Sequence, residues 1–214
     1  MDPLQERLAE IGLRALGEFG FALAGGQAIQ VHGIVDRPSD DIDLFVAWDR
    51  KDQFDRAVDV IVDAYRSAGY GVAIEKRYET FARLAVSDGA GSGETSVDLA
   101  ADWRQHQPVQ MAIGPVLHLD DLVASKMSAL YGRGEPRDFI DIDAVLRSGR
   151  FSREDVLRLA ENADAGFVRS MFAQSIARID RLPTRLFERY GLSAEQVDES
   201  RARFAEWRDQ LLGD

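Results

Sequence analysis

Residues 22–46, ALAGGQAIQVHGIVDRPSDDIDLFV, decide how this chain folds. One apolar run closes on Gly25 and Gly26, and a second carries Asp41 and Asp43 one residue apart. Successive side chains of a strand point to opposite faces, so Asp41 and Asp43 share one face while Ile42 and Leu44 share the other. A rise of about 3.3 Å per residue sets the two aspartate Cα atoms about 6.5 Å apart. From there two carboxylates can converge on a pair of divalent cations, which sit about 3.5–4 Å apart in two-metal sites. Two carboxylates facing an apolar core would be costly, so this face either meets solvent or binds metal. The preceding FALAGG predicts a strand, a tight turn and the start of a short helix, GQAIQVHG. Glycines let a phosphate approach the backbone, and the first N–H groups of a helix favour an anion. Phosphates on one side and metal-binding carboxylates on the other is what phosphoryl or nucleotidyl transfer requires.

Working outward, TSVDLAA sends Val97 and Leu99 one way and Asp98 the other. If this strand lies beside DIDLF, Asp98 completes a carboxylate triad, as a metal ligand or as the group that takes a proton from an attacking hydroxyl. FIDIDAV repeats the local pattern at Asp141 and Asp143. There Phe139, Ile142 and Leu146 recur at helical spacing, so that pair is splayed around a helix. Other strands are predicted at YGVAIEK, TFARLAVSD and PVQMAIGPVLHL, the last as a single strand, with GAGSG as a hairpin connection. A helix is predicted from Leu4 to a stop at Gly20, and another, DQFDRAVDVIVDAYRSAG, stops at Gly69. After Asp120 only helices are expected. The fold class is therefore α+β, a mixed half followed by an all-helical half, divided as 1–117 and 118–214.

The net charge of -11 argues against a generic nucleic-acid surface. Most of the acid excess precedes residue 133, and every basic residue after it is arginine. Cysteine is absent, which removes disulfides and thiolate chemistry. MDPLQERLAEIG is too polar for a secretory leader, and no apolar run reaches the roughly 18 residues of a membrane span, so a cytoplasmic protein without membrane contact is expected. His32, His106 and His118 have no mutual ligand spacing, which argues against zinc. No P-loop, GxSxG or GxGxxG occurs.

Gly25-Gly26, Asp41-Ile42-Asp43 and Asp98 together resemble the polymerase-β-like nucleotidyltransferase superfamily in its minimal form. The longer blocks GGQAIQVHG, RPSDDIDLF and DLVASKMSALYGRGEPRDFIDIDAVL are similar to the AbiEii/MenT-type nucleotidyltransferases, which include toxins of toxin–antitoxin and abortive-infection systems. The resemblance spans about residues 20–147. It implies a small, mainly antiparallel mixed sheet flanked by helices, with a helical C-terminal domain adding lysine and aspartate to the site. It also implies an NTP donor, Mg2+ or Mn2+, a hydroxyl acceptor such as the tRNA 3′ end, and a cognate antitoxin. Carried over, Gly25 and Gly26 form the phosphate turn, and Asp41, Asp43 and Asp98 hold metal. Lys126 grips the triphosphate with Arg137 on the nucleotide, Arg133 lies between them in the same block, and Asp138 and Asp141 belong to the active site; Arg37 and Ser39 either contact phosphate or shape the loop. Arg137 and Asp141 could pair at i,i+4. Equally, the RDFID charges could be a structural network, with Lys126 only extending its charge to water. Two other readings stand beside a tRNA-directed toxin: an enzyme acting on a small molecule (as aminoglycoside adenylyltransferases do) or a protein hydroxyl, and an inactive nucleotidyltransferase-fold binding module.

Overall fold

The computed structural model describes residues 1–88 and 93–213, so most of the expected GAGSG connection lies outside the described residues. Contacts divide the chain into two units, Met1–Val31 with Ser39–His118, and His32–Pro38 with Leu119–Asp214. No sequence feature signals that residues 32–38 leave the first unit for the second.

In the first unit, α1 (Pro3–Ala15) starts at Asp2, whose carboxylate accepts from Gln5 N in a capping box. It stops at Ala15, earlier than expected, and a single 3-10 turn carries the chain to Gly20 at φ 80°. Then follow β1 (Ala22–Ala24), α2 (Gly25–Val31), β2 (Asp41–Ala47), α3 (Phe54–Ser67), β3 (Gly71–Arg77), β4 (Phe81–Ser87) and β5 (Glu94–Asp102). The predicted single strand after residue 107 is instead the hairpin β6 (Val109–Met111) and β7 (Gly114–Val116), turned at Gly114 with φ 126°. The seven strands run in the order β3-β4-β5-β2-β1-β7-β6. Only β2/β5 and β1/β7 are parallel, which makes the sheet mixed and mainly antiparallel.

Burial in β2 alternates, with Ile42, Leu44 and Val46 inside and the intervening residues half-buried. The inner face meets α1 and α3: a Cβ at Gly12 would press on Leu44, Tyr65 and Ile61, so the small residue sets that close approach. The Tyr65 hydroxyl donates to Leu8 O at 3.0 Å, and burial pushes its ionisation well above the usual range. β3 is an edge strand, mostly exposed and carrying Glu75, Lys76 and Arg77, charges that blunt pairing with other chains.

The second unit has only helices among its described residues, as expected after Asp120: α4 (Leu119–Gly132), α5 (Pro136–Arg147), α6 (Arg153–Ala163), α7 (Arg169–Ile176), α8 (Arg185–Glu188) and α9 (Ala194–Gly213). Their core includes Val123, Met127, Leu130, Phe139, Phe172, Phe204 and Trp207. Phe139 meets Phe204 edge-on at 5.1 Å, and Phe172 meets Trp207 likewise, tying α5 and α7 to α9. Among the described residues no helix is long and apolar enough to cross a membrane.

Candidate active site

The DID strand and the strand of Asp98 are neighbours. β2 and β5 pair in parallel with Asp41 opposite Ser96 and Asp43 opposite Asp98. Adjacent strands lie about 4.8 Å apart, so the Asp43 and Asp98 side chains stand side by side on one face. The register extends this row across five strands as Ala24, Asp43, Asp98, Arg83 and Lys76. Asp41 and Asp43 are half-buried, and Asp98 is buried.

Like charges this close need compensation, and Arg83 supplies part of it. Its Nε donates to Asp98 Oδ1 at 2.7 Å and its Nη2 to Oδ2 at 2.6 Å. That fork, with further attraction from Asp41 and Glu75, outweighs lost hydration and holds Arg83 well above its ordinary pKa. The only sequence signal of Arg83 is its alternation on FARLAV, which places it on the face opposite Ala82 and Leu84.

Gly25 accounts for the first glycine of the pair. Its φ is +61°, and a Cβ there would overlap Asp43 Oδ2, so only glycine lets the turn close on this carboxylate. The start of β2 is fixed from behind by two buried glutamines. Gln27 Nε2 donates to Gln5 Oε1 at 2.8 Å, and Gln5 Nε2 donates to Ser39 O at 2.8 Å. Ser39 Oγ also lies 3.5 Å from Asp41 O. Nothing in the sequence marked Gln5 or Gln27, because each is defined by a partner distant in the chain. Carboxylate oxygens are hard donors of the kind Mg2+ or Mn2+ takes, though Asp41, Asp43 and Asp98 do not bring their oxygens together within 4.8 Å and both Asp98 oxygens accept from Arg83.

In the second unit, the charged residues of the K…RD…D block separate. Asp141 is fully buried and accepts from Arg37 Nε at 2.6 Å and Nη2 at 2.7 Å, with Lys126 Nζ 2.8 Å from Oδ2. Burial alone would raise the Asp141 carboxyl, yet the Lys126 charge and the Arg37 fork hold it below the usual carboxylate range. Lys126 is itself buried and does not extend its charge to water. Arg37 also donates to Pro38 O and lies 5.4 Å from the Tyr190 ring centre. Arg137 does not pair with Asp141. Its Nε lies 3.0 Å from Glu135 Oε2. Asp138, also fully buried, accepts a fork from Arg133 at 2.9 and 2.8 Å and the Glu135 N–H at 2.9 Å, which anchors the start of α5. Asp143 takes both oxygens to Arg203 at 2.7 Å. The Asp141/Asp143 pair is thus splayed as the helical spacing predicts. The imidazoles of His106 and His118, without ligand spacing in sequence, stack at 4.4 Å in the first unit.

A family model described as nucleotidyl transferase AbiEii toxin of type IV toxin–antitoxin systems matches residues 13–213. No curated protein matches the chain in sequence. Among solved structures, JHP933 from Helicobacter pylori superposes with a TM-score of 0.58 at 16% identity, covering 100% of this chain and 95% of that one. A putative nucleotidyltransferase from H. pylori does so with 0.58 at 15% identity, covering 100% and 98%. The nucleotidyltransferase toxin MenT4 from Mycobacterium tuberculosis has a TM-score of 0.46 at 15% identity, covering 98% and 91%. At these identities the likeness is one of fold.

Proposed function

Because the chain belongs to the AbiEii family of nucleotidyltransferase toxins of type IV toxin–antitoxin systems, we propose that it moves a nucleoside monophosphate from an NTP to the 3′ hydroxyl of tRNA in a reaction that needs Mg2+ or Mn2+. The observation that carries this reading is Asp43 opposite Asp98, with Asp41 on the same strand face. Asp41, Asp43 and Asp98 would hold the metal, which when bound supplies charge neutralisation at the phosphates. The acceptor oxygen attacks the α-phosphorus in line. A new P–O bond forms, the α–β bridging P–O bond breaks, and pyrophosphate leaves. In this reading the hydroxyl proton passes to a carboxylate oxygen of Asp98, and the Gly25-Gly26 turn approaches the phosphates with its backbone N–H groups. Catalysis is then mostly positioning and electrostatics.

In the second unit Lys126 and Arg37 both bond the buried Asp141 carboxylate. The family resemblance gives Lys126 the role of gripping the triphosphate, and Lys126→Ala is expected to raise the KM for NTP. Purified protein with Mg2+, labelled NTPs and total tRNA should move label into the RNA, and Asp43→Ala should stop it. Equal labelling by the variant would remove the site assignment. The strongly acidic surface, -11 overall, also suits a cationic small-molecule acceptor. Label appearing on aminoglycosides and not on tRNA would favour that acceptor. Intact Asp41, Asp43 and Lys126 oppose the reading as an inactive module. The biological counterpart of such an enzyme in the cytoplasm is a cognate antitoxin.

A further inference from the structure

Arg83 lies next to the carboxylates in the row that crosses the sheet, directly opposite Asp98 and bonded to both its oxygens. We propose that Arg83 is a positioning residue of this site: its fork fixes the Asp98 carboxylate in one orientation beside Asp43, and its charge limits how tightly the carboxylate row takes up a divalent cation. The inference rests on the reading of Asp41, Asp43 and Asp98 as the cation-binding face.

Three features distinguish Arg83 from an ordinary cross-strand ion pair. Its side chain is 32% exposed whereas that of Asp98 is 10% exposed, so the cation is the partner that meets solvent. Its attraction reaches Asp41 as well, so one cation acts on two of the three acids. The planar fork also fixes the Asp98 carboxylate in one orientation, which a lysine could not do. Asp98 is the carboxylate it fixes, and Asp98 is the cross-strand neighbour of Asp43. Removing Arg83 therefore has two opposite consequences. The row becomes more negative and attracts a cation more strongly, while Asp98 loses the orientation that a reaction would use.

Mn2+ binding to the full-length protein, followed by electron paramagnetic resonance of the free ion, reads the first consequence without any catalysis. Arg83→Gln is expected to bind Mn2+ about fivefold or more tightly, the scale of one nearby charge partly screened by water. Its thermal midpoint should rise more on adding Mn2+ than that of the parent protein. Its kcat for nucleotide transfer should fall at least about tenfold with little change in the KM for NTP, the mark of a group acting on the reacting geometry. Arg83→Lys keeps the charge and loses the fork. It should bind Mn2+ within about twofold of the parent and still lose kcat. If the parent binds no Mn2+, or Asp43→Ala binds it equally well, the carboxylate reading itself fails. If that control behaves and Arg83→Gln binds Mn2+ like the parent or more weakly, or turns over at the parent rate, the role given to Arg83 is overturned.

Discussion

At residue scale, single atoms decide what can be replaced. Gly25 faces two constraints together, a left-handed φ of +61° and the Asp43 carboxylate where a Cβ would sit. Gly25→Ala is expected to cost about 1–3 kcal/mol from the backbone conformation and the displaced carboxylate. It should also abolish transfer, checked by urea unfolding beside the labelling assay. Gly33, by contrast, has φ +71° with nothing near its Cβ position, so Gly33→Ala should carry only the backbone part. Asp141 is a different case, because its carboxylate is the shared anion of two buried cations. Asp141→Asn removes the carboxylate that Arg37 and Lys126 share, and a loss of about 3–5 kcal/mol is expected in the same unfolding experiment.

At the scale of elements, α5 begins where Pro136 follows Glu135, and Asp138 in its first turn holds the Arg133 fork and the Glu135 N–H. A carboxylate there also meets the positive end of the helix dipole. Asp138→Ala is expected to destabilise by about 1–3 kcal/mol through loss of the Arg133 fork and of the bond that anchors the start of α5. If Asp138 serves only as this anchor, kcat at a temperature well below unfolding should equal that of the parent. A kcat that falls while stability holds would return Asp138 to the chemistry. α6 supplies a milder comparison. Ser152 accepts from Asp155 N and so caps its helix, and Ser152→Ala should cost about 1 kcal/mol with transfer unchanged.

At the scale of the whole molecule, acid should be the weak side of stability. Asp141 is held below the usual carboxylate range, and so are Glu154 and Glu161, which share Arg169, and Asp155, which bonds Ser152. A group whose folded pKa is depressed stabilises above its unfolded value, near 4 for a carboxylate, and loses that contribution as pH falls through the folded value. The surface carboxylates are screened and contribute little each, so Asp141 dominates. The thermal midpoint should stay nearly flat from about pH 7 to 5 and drop below about pH 4. The drop should be shallower in Asp141→Asn, which has no carboxylate left to protonate there.

Local periodicity determined much of this protein before any contact was known. Alternation set Asp41 and Asp43 on one strand face, helical spacing splayed Asp141 from Asp143, and the run of helices after Asp120 followed from the apolar stripes. These features depend on neighbours two to four residues away, which the sequence displays directly. Tertiary structure decided the rest. It set Asp98 opposite Asp43 and Arg83 on Asp98, joined Arg37 to Asp141 across more than a hundred residues, and moved residues 32–38 into the second unit. It also placed a carboxylate where Gly25 could have no side chain. Strand register and buried ion pairs are set by which distant segments bury their apolar faces together, and that choice leaves no periodic trace in either segment alone.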